Sequence, residues 1–180
     1  MKNPFVLPLL LVLSLTVGSG YSSLAQVKSL EFLPKATVVF PGEYESQERG
    51  PNTIYSYQSP DSLANFLVVV ADLMRTSGLD AETLAMASLE PEFWLQVEQG
   101  FMGQLGADAK LENKSSMNVD GVEVLKLDVS RFRPETNTTN YLTAYIFVMD
   151  KYSINIAHTS RGGKADPEVR DAFFASLKIE

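Results

Sequence analysis

The chain has 180 residues, a formal net charge of −7, one histidine and no cysteine. The missing cysteine excludes a disulfide framework, a lipoprotein-type signal and a thiol nucleophile. The acidic balance repels a phosphate backbone and no run of Lys or Arg offers a local basic patch, so no nucleic acid is expected.

Lys2, the apolar run Phe5 to Val17 and the small, polar stretch Gly18 to Ser23 read as a secretory signal. Ser23-Leu24-Ala25 places small residues at both recognition positions, so cleavage is expected before Gln26. The run is about 13 residues, short of the roughly 20 that span a bilayer. The expected organisation is a signal peptide over 1–25 and one domain over 26–180, secreted or periplasmic, with no stable membrane span after cleavage. Loss of Lys2 makes the domain more acidic by one charge.

Val38-Val39-Phe40 reads as a strand stopped by Pro41-Gly42. A polar stretch, Glu43 to Asn52, follows as a loop. Ile54 to Gln58 and Asn65 to Val70 read as a hairpin about Ser59-Pro60-Asp61-Ser62. Asp80 is a helix N-cap, with Leu79 and Leu84 placed as a hydrophobic staple, and that helix runs to about Ser88. Pro91 opens a second helix, Glu92 to Leu105. Its apolar stripe is Phe93, Trp94, Val97, Phe101 and Leu105.

Lys110 to Val119 and Val122 to Arg131 read as strands about the turn dipeptide Asp120-Gly121. A two-residue turn pairs Met117 with Val124, but places Leu125 and Leu127 on a face with Asn118 and Ser116. A three-residue loop with a bulge gives another register, and the pattern leaves both open. Pro134 to Asn140 is a polar loop. Tyr141 to Met149 and Tyr152 to Thr159 form a hairpin about Asp150-Lys151. Turn arithmetic pairs Met149 with Tyr152, Phe147 with Ile154, Tyr145 with Ile156 and Thr143 with His158, all on one face. The first of these strands is apolar on both faces, which predicts a central position. After the loop Ser160 to Ala165, Asp166 caps a last helix that begins with Pro167 and presents Val169, Ala172 and Phe173 inward. Short antiparallel connections with helices grouped against them predict an α+β fold: an antiparallel sheet of six to seven strands packed with helices.

Three fragments, together with this element order, resemble the PsbP-like superfamily: Phe40-Pro41-Gly42, Gly121-Val122-Glu123-Val124, and Phe173-Phe174-Ala175-Ser176-Leu177-Lys178-Ile179. The likeness covers residues 36 to 180. It implies the α/β sandwich of photosystem II extrinsic proteins, of a Ran-binding import factor and of bacterial secreted proteins. It implies binding or assembly more than catalysis. No site residue is transferred by it, since its motifs are structural.

The chain offers little catalytic chemistry. His158 reads as a half-buried histidine bonded to a hydroxyl, near Thr143. No G-x-S-x-G elbow supplies a serine for it to activate. One His without Cys does not make a zinc site. Glu43, Glu45 and Glu48 could offer oxygen ligands to calcium, but match no EF-hand spacing and read as a solvated loop. Gly100, Gly103 and Gly106 do not follow a strand, so Gly106 reads as a helix cap rather than part of a nucleotide fingerprint. Gly162-Gly163 beside Arg161 and Lys164 reads as a flexible loop rather than an anion site. Glu90, Glu92 and Glu98 sit about a helix start, where negative charge is favoured. Asn113-Lys114-Ser115 and Asn137-Thr138-Thr139 match a glycosylation acceptor pattern that matters only in a eukaryotic secretory pathway.

The sequence therefore predicts a non-catalytic binding or assembly domain with no cofactor and no metal, whose partner is an envelope or extracellular protein. The alternatives are a carrier with an apolar cavity between the sheet and the Glu92–Leu105 helix, near Trp94 and Phe101, or a carboxylate-based hydrolase. Contact surfaces are expected on the loops Glu43–Asn52, Pro134–Asn140 and Ser160–Ala165.

Overall fold

A computed structural model describes residues 27–163 and 166–180. The signal segment and its cleavage point lie outside the described residues. No helix among the described residues is long and apolar enough to cross a membrane.

The strands are β1 (Lys28–Leu33), β2 (Ala36–Phe40), β3 (Glu45–Arg49), β4 (Asn52–Gln58) and β5 (Ala64–Asp72), then β6 (Ala109–Val119), β7 (Val122–Arg133), β8 (Thr138–Met149), β9 (Tyr152–Arg161) and β10 (Lys178–Ile179). The helices are α1 (Leu73–Ser77), α2 (Ala81–Ala87), α3 (Pro91–Leu105) and α4 (Pro167–Ala175). Seven strands form one antiparallel sheet in the order β3-β4-β5-β9-β8-β7-β6, and β1-β2-β10 form a smaller one. This is the expected α+β sandwich, with four elements the sequence did not announce. Of these, β3 reads Glu-Ser-Gln-Glu-Arg, without one apolar residue. It exists because β4 supplies its hydrogen bonds, and its charges suit an edge strand. It replaces most of the expected loop Glu43–Asn52.

The β8–β9 pairing follows the turn arithmetic residue for residue, from Met149 with Tyr152 to Thr143 with His158. Asp150 absorbs the left-handed backbone that the turn demands, at φ 53°. The hairpin sits at the centre of the sheet as expected, but its middle strand is β9 rather than β8, with three strands on either side. Chain alternation puts Ser153 and Asn155 on a face that β5 and β8 fill with Val69 and Ile146, so neighbours rather than its own residues make β9 central.

The β6–β7 hairpin resolves to the two-residue turn, with Met117 opposite Val124. Both turn residues take positive φ, Asp120 at 51° and Gly121 at 90°. The register shifts between Leu111 and Asn113, which brings Leu111 opposite Val129. A bulge within the strand, not a longer turn, thus settles the conflict between polar β6 and apolar β7.

Two cores flank the large sheet. On one face Val97, Phe101 and Leu105 of α3 pack on Leu125, Leu127, Val129, Ala144 and Ile146. On the other, Phe66, Val68, Ile154 and Ile156 meet Phe40, Val38 and Phe173 from the small sheet and α4. The Phe173 ring lies 5.3 Å from Phe40 and 5.0 Å from Phe66. The inward residues of α4 are Phe173 and Phe174, while Val169 and Ala172 are exposed, contrary to the helical-stripe reading. The helix approaches the sheet with its last turn, where Ser176 Oγ accepts a 2.8 Å bond from the Val39 amide.

Gly42, behind the strand stop, has a steric reason: a Cβ there would stand 2.9 Å from Cζ of Tyr57. Tyr57 is itself held against Phe66 at 5.9 Å. Gly42→Ala is expected to destabilise the fold by about 1–3 kcal/mol. In a Tyr57→Ala background that cost should fall to roughly 0.5 kcal/mol or less, as a double-mutant cycle in urea reads it. An undiminished cost would mean that Tyr57 is not the obstacle.

Candidate functional site

Because β9 is covered on both faces, its polar side chains are buried. Ser153, Asn155, His158 and Ser160 are each no more than 6% exposed. Buried polar atoms normally find partners, so the exceptions carry information. Among the described residues, Ser153 Oγ, both side-chain polar atoms of Asn155, Asn52 Oδ1, Arg131 Nε, Asn140 Oδ1 and His158 Nε2 have no protein partner. Ser153, Asn155 and Asn52 lie on the α3 face of the sheet and form a polar seam of the kind that interior water serves. His158 lies on the opposite face.

His158 sits between Phe66 of β5 and Thr143 of β8 in one cross-strand row, which continues to Asp128 of β7 and Asn113 of β6. The Phe66 ring is 4.8 Å away. At 4% exposure the histidine is fully rather than half buried. The expected hydroxyl does not serve it: Thr143 Oγ1 donates to Asp128 Oδ1 at 2.8 Å. A carboxylate one strand further along the row outcompetes a neutral imidazole as acceptor. Burial, then the Arg170 guanidinium, push the His158 pKa down to about 4, against the opposing pull of Asp171. The imidazole is neutral at pH 7, and leaving its nitrogen unpaired costs about 1–3 kcal/mol.

His158 lines an open trough of about 1000 Å³. Its floor is Lys126 and Asp128 of β7, Tyr141, Thr143 and Tyr145 of β8, and His158 with Ser160 of β9. One wall is the flank of α4, with Arg170, Asp171 and Phe174. Phe174 stacks on Tyr145 at 4.3 Å, which fixes that wall to the floor. Met117, Val119 and Leu177 form an apolar end, closed where the Ile179 amide donates to Asp120 at the β6–β7 turn (3.1 Å). At the other end Gly163 lies over the Tyr141 ring; its Cβ would be 3.4 Å from Cε2.

The charges of the trough are paired internally. Lys126 is 3.7 Å from Asp128, and Arg170 is 2.8 Å from Asp171. Glu112, delivered to this face by the bulge, accepts from Ser130 Oγ at 2.6 Å and pairs with Lys110 at 3.0 Å. The Ser130 hydroxyl and then Lys110 hold its carboxyl below the usual range. The Arg170 guanidinium does the same for Asp171. Burial, then Asp128 and Asp171, push the Tyr145 phenol up, so it keeps its proton.

The other sequence candidates are scattered. Glu45 and Glu48 point to opposite faces of β3, and Glu43 pairs with Lys28 at 2.9 Å, so the acidic stretch does not converge as a calcium site would. Among the described residues no group of three or more His, Cys, Asp or Glu is placed to hold a metal ion. Glu98 pairs with Lys114 of β6, and Glu90 and Glu92 are exposed at the start of α3. Trp94 donates its indole N–H to the Ser88 carbonyl at 2.8 Å, and Phe101, 1% exposed, sits in the α3 core. The space expected to hold an apolar ligand is thus occupied by side chains, and the trough lies on the other face. Gly106 ends α3 as expected, at φ 90°. Arg161 ends β9, while Lys164 and Ala165 lie outside the described residues. The trough itself was missed because its floor is read from cross-strand rows and its wall from the seat of α4, neither of which is local in sequence.

Neither a protein-family model nor a curated protein sequence matches the chain. Among solved structures, cyanobacterial PsbP (CyanoP) from Synechocystis matches at a TM-score of 0.52 and 12% identity, over 91% of this chain and 98% of that one. The chain has the PsbP-like fold. A Pseudomonas aeruginosa protein of unknown function matches at a TM-score of 0.49 and 11% identity, over 84% and 93% of the two chains. A Bacteroides thetaiotaomicron crystal structure matches at 0.44 and 9%, over 81% of this chain; the chain spans only 45% of that one. At 12% identity the CyanoP match establishes the PsbP-like architecture alone and places no residue of the trough in a known site.

Replacing His158 by Leu, of similar bulk and with no polar atom, should leave the isolated protein as stable or about 1 kcal/mol more stable at pH 7. The pH dependence follows from a folded pKa near 4 against 6.5 in the unfolded chain. Above pH 6.5 both states are neutral at this site. As pH falls from 6.5 towards 4, the unfolded chain takes up the proton first, and stability falls by up to about 3 kcal/mol. Below pH 4 the loss levels off. Urea unfolding between pH 7 and 4.5 should show this slope in the wild type and its absence in His158→Leu; parallel curves would remove His158 as the cause.

Proposed function

We propose that this protein is an exported, non-catalytic binding domain that engages a partner protein of the cell envelope through the trough beside α4. The observation that carries the reading is the neutral, buried and unpaired His158 Nε2 on the floor of a trough whose described charged groups are already paired. An unfilled hydrogen-bond position in a concave site is met by a ligand atom.

The arrangement also argues against base catalysis. A catalytic imidazole needs a carboxylate to orient it and a nucleophile to activate. Here Asp128 is taken by Thr143, with Lys126 nearby, and a pKa near 4 makes His158 a poor base at neutral pH. Export rests on the apolar run Phe5 to Val17 and the small residues before Gln26.

Protein purified from its own host envelope fraction should begin at Gln26 by intact mass. It should carry a cross-linked envelope protein that also binds it as a purified pair. Recovery with an uncleaved start from the cytoplasm, or a chemical turnover abolished by His158→Leu, would overturn the proposal.

A further inference from the structure

We infer that the trough is a groove for an extended, uncharged segment of a partner polypeptide that carries two apolar side chains about six residues apart. This rests on the partner-binding reading above and specifies the chemistry of its contact.

Length comes from the strand register. Ser130 pairs with Tyr141 at one end of the floor, and Val124 pairs with Met117 at the other. The six steps along β7 between them span about 20 Å at the usual strand rise, enough for roughly six or seven extended residues. A compact small molecule would fill only part of that span.

The apolar positions come from exposure. Tyr141 and Met117 are large hydrophobic side chains, 48% and 37% exposed, one at each end of the groove. Gly163 lies beside the Tyr141 ring, and Val119 and Leu177 surround the Met117 end. Each end can cover one apolar side chain.

The uncharged middle comes from the pairing of charges. Among the described residues of the lining, Arg170 is paired with Asp171 and Lys126 with Asp128, so neither cation is free to hold a phosphate or carboxylate. Glu112 is held by Ser130 and Lys110, so it presents no free pole for an ammonium. Beside the hydroxyls of Tyr145 and Ser160, what remains in the middle is His158 Nε2, buried and without a protein partner, which matches a backbone or side-chain amide. Phe66, Thr143, Tyr145, Arg170 and Asp171 surround it and position it without satisfying it.

The probe is a phage-displayed library of random heptapeptides, selected on the full exported protein at pH 7. Enriched sequences should lack charge at their centre and carry Phe, Leu, Met or Tyr near both ends. Synthetic copies should bind about tenfold more weakly to Met117→Ser and to Tyr141→Ser, both substitutions at exposed positions, and to His158→Leu where that variant unfolds as cooperatively as the wild type. No enrichment, enrichment of charged centres, or equal binding by Met117→Ser and Tyr141→Ser would overturn the groove. Displacement of selected peptides by octyl glucoside at the same molar concentration would also overturn it, in favour of a small amphiphile. A purified envelope partner bound equally by all three variants would sink this inference together with the trough as the contact, and leave only an exported domain that binds a partner elsewhere. Absence of any partner would sink the binding-domain reading.

Discussion

The whole molecule depends on one strand pairing, that of β9 with β5. Hairpins build β3-β4-β5 on one side and β6-β7-β8-β9 on the other, and only this ladder joins them. It brings residues 64–72 against residues 152–160 in continuous register. Closing so long a loop is entropically slow, and contacts at both ends of the ladder hold it. At one end Lys151 Nζ bonds Asp72 Oδ2 at 2.9 Å, and the Leu73 amide bonds the Lys151 carbonyl at 2.9 Å. At the other, the Arg161 amide bonds the Leu63 carbonyl at 2.8 Å. Asp72 also caps α1, so a single carboxylate ends a strand, starts a helix and pins the central turn.

That position has a consequence for chemistry. A strand at the centre of a sheet covered on both faces cannot send its polar side chains to water. His158 is buried because β9 is central, and it is unpaired because the next strand but one offers Thr143 a better acceptor. The trough has a related origin. Phe173 seats α4 over Phe66 and Phe40, towards the β5 side of β9, while Phe174 reaches only as far as Tyr145. The outer halves of β7 and β8 are therefore left uncovered on this face, and the gap between them and the helix is the groove. The packing that stabilises the sandwich is what opens it.

The β8–β9 hairpin was legible because its pattern is apolar, alternating and closed by a short turn, so its register is a local property. The same holds for α3, whose stripe is spaced as a helix requires, and for the caps Asp80 and Asp166, whose side chains bond Thr83 and Glu168 amides. What escaped was set at a distance. β3 has no hydrophobic signal and is a strand only because β4 is beside it. The bulge near Glu112 answers a conflict between two strands, not a feature of either. The centrality of β9 depends on Val69 and Ile146, which flank Asn155 from other strands. Gly42 could be read as a strand stop, but the ring that requires a glycine there belongs to Tyr57, on a different strand. His158 was singled out by its rarity in the sequence, while its isolation is a fact of the row Phe66–His158–Thr143–Asp128.

A shared fold at 12% identity says how the chain is built and leaves open what it is for. The energetics of His158 narrow that question. Stability alone gives no reason to keep an imidazole with a bare nitrogen where a leucine would fill the same space, since the unpaired atom is a net cost in the isolated protein. The polar seam of Ser153, Asn155 and Asn52 is different in kind: its members lie together within a covered layer, where interior water can serve them jointly. Among the described residues, His158 is the one unpaired buried group on its face, and it borders an open groove. Sites where local rules fail without compensation nearby are expected to be functional or strained ones. The missing partner of Nε2 is then best sought on another molecule, laid along the floor that β7 and β8 leave bare.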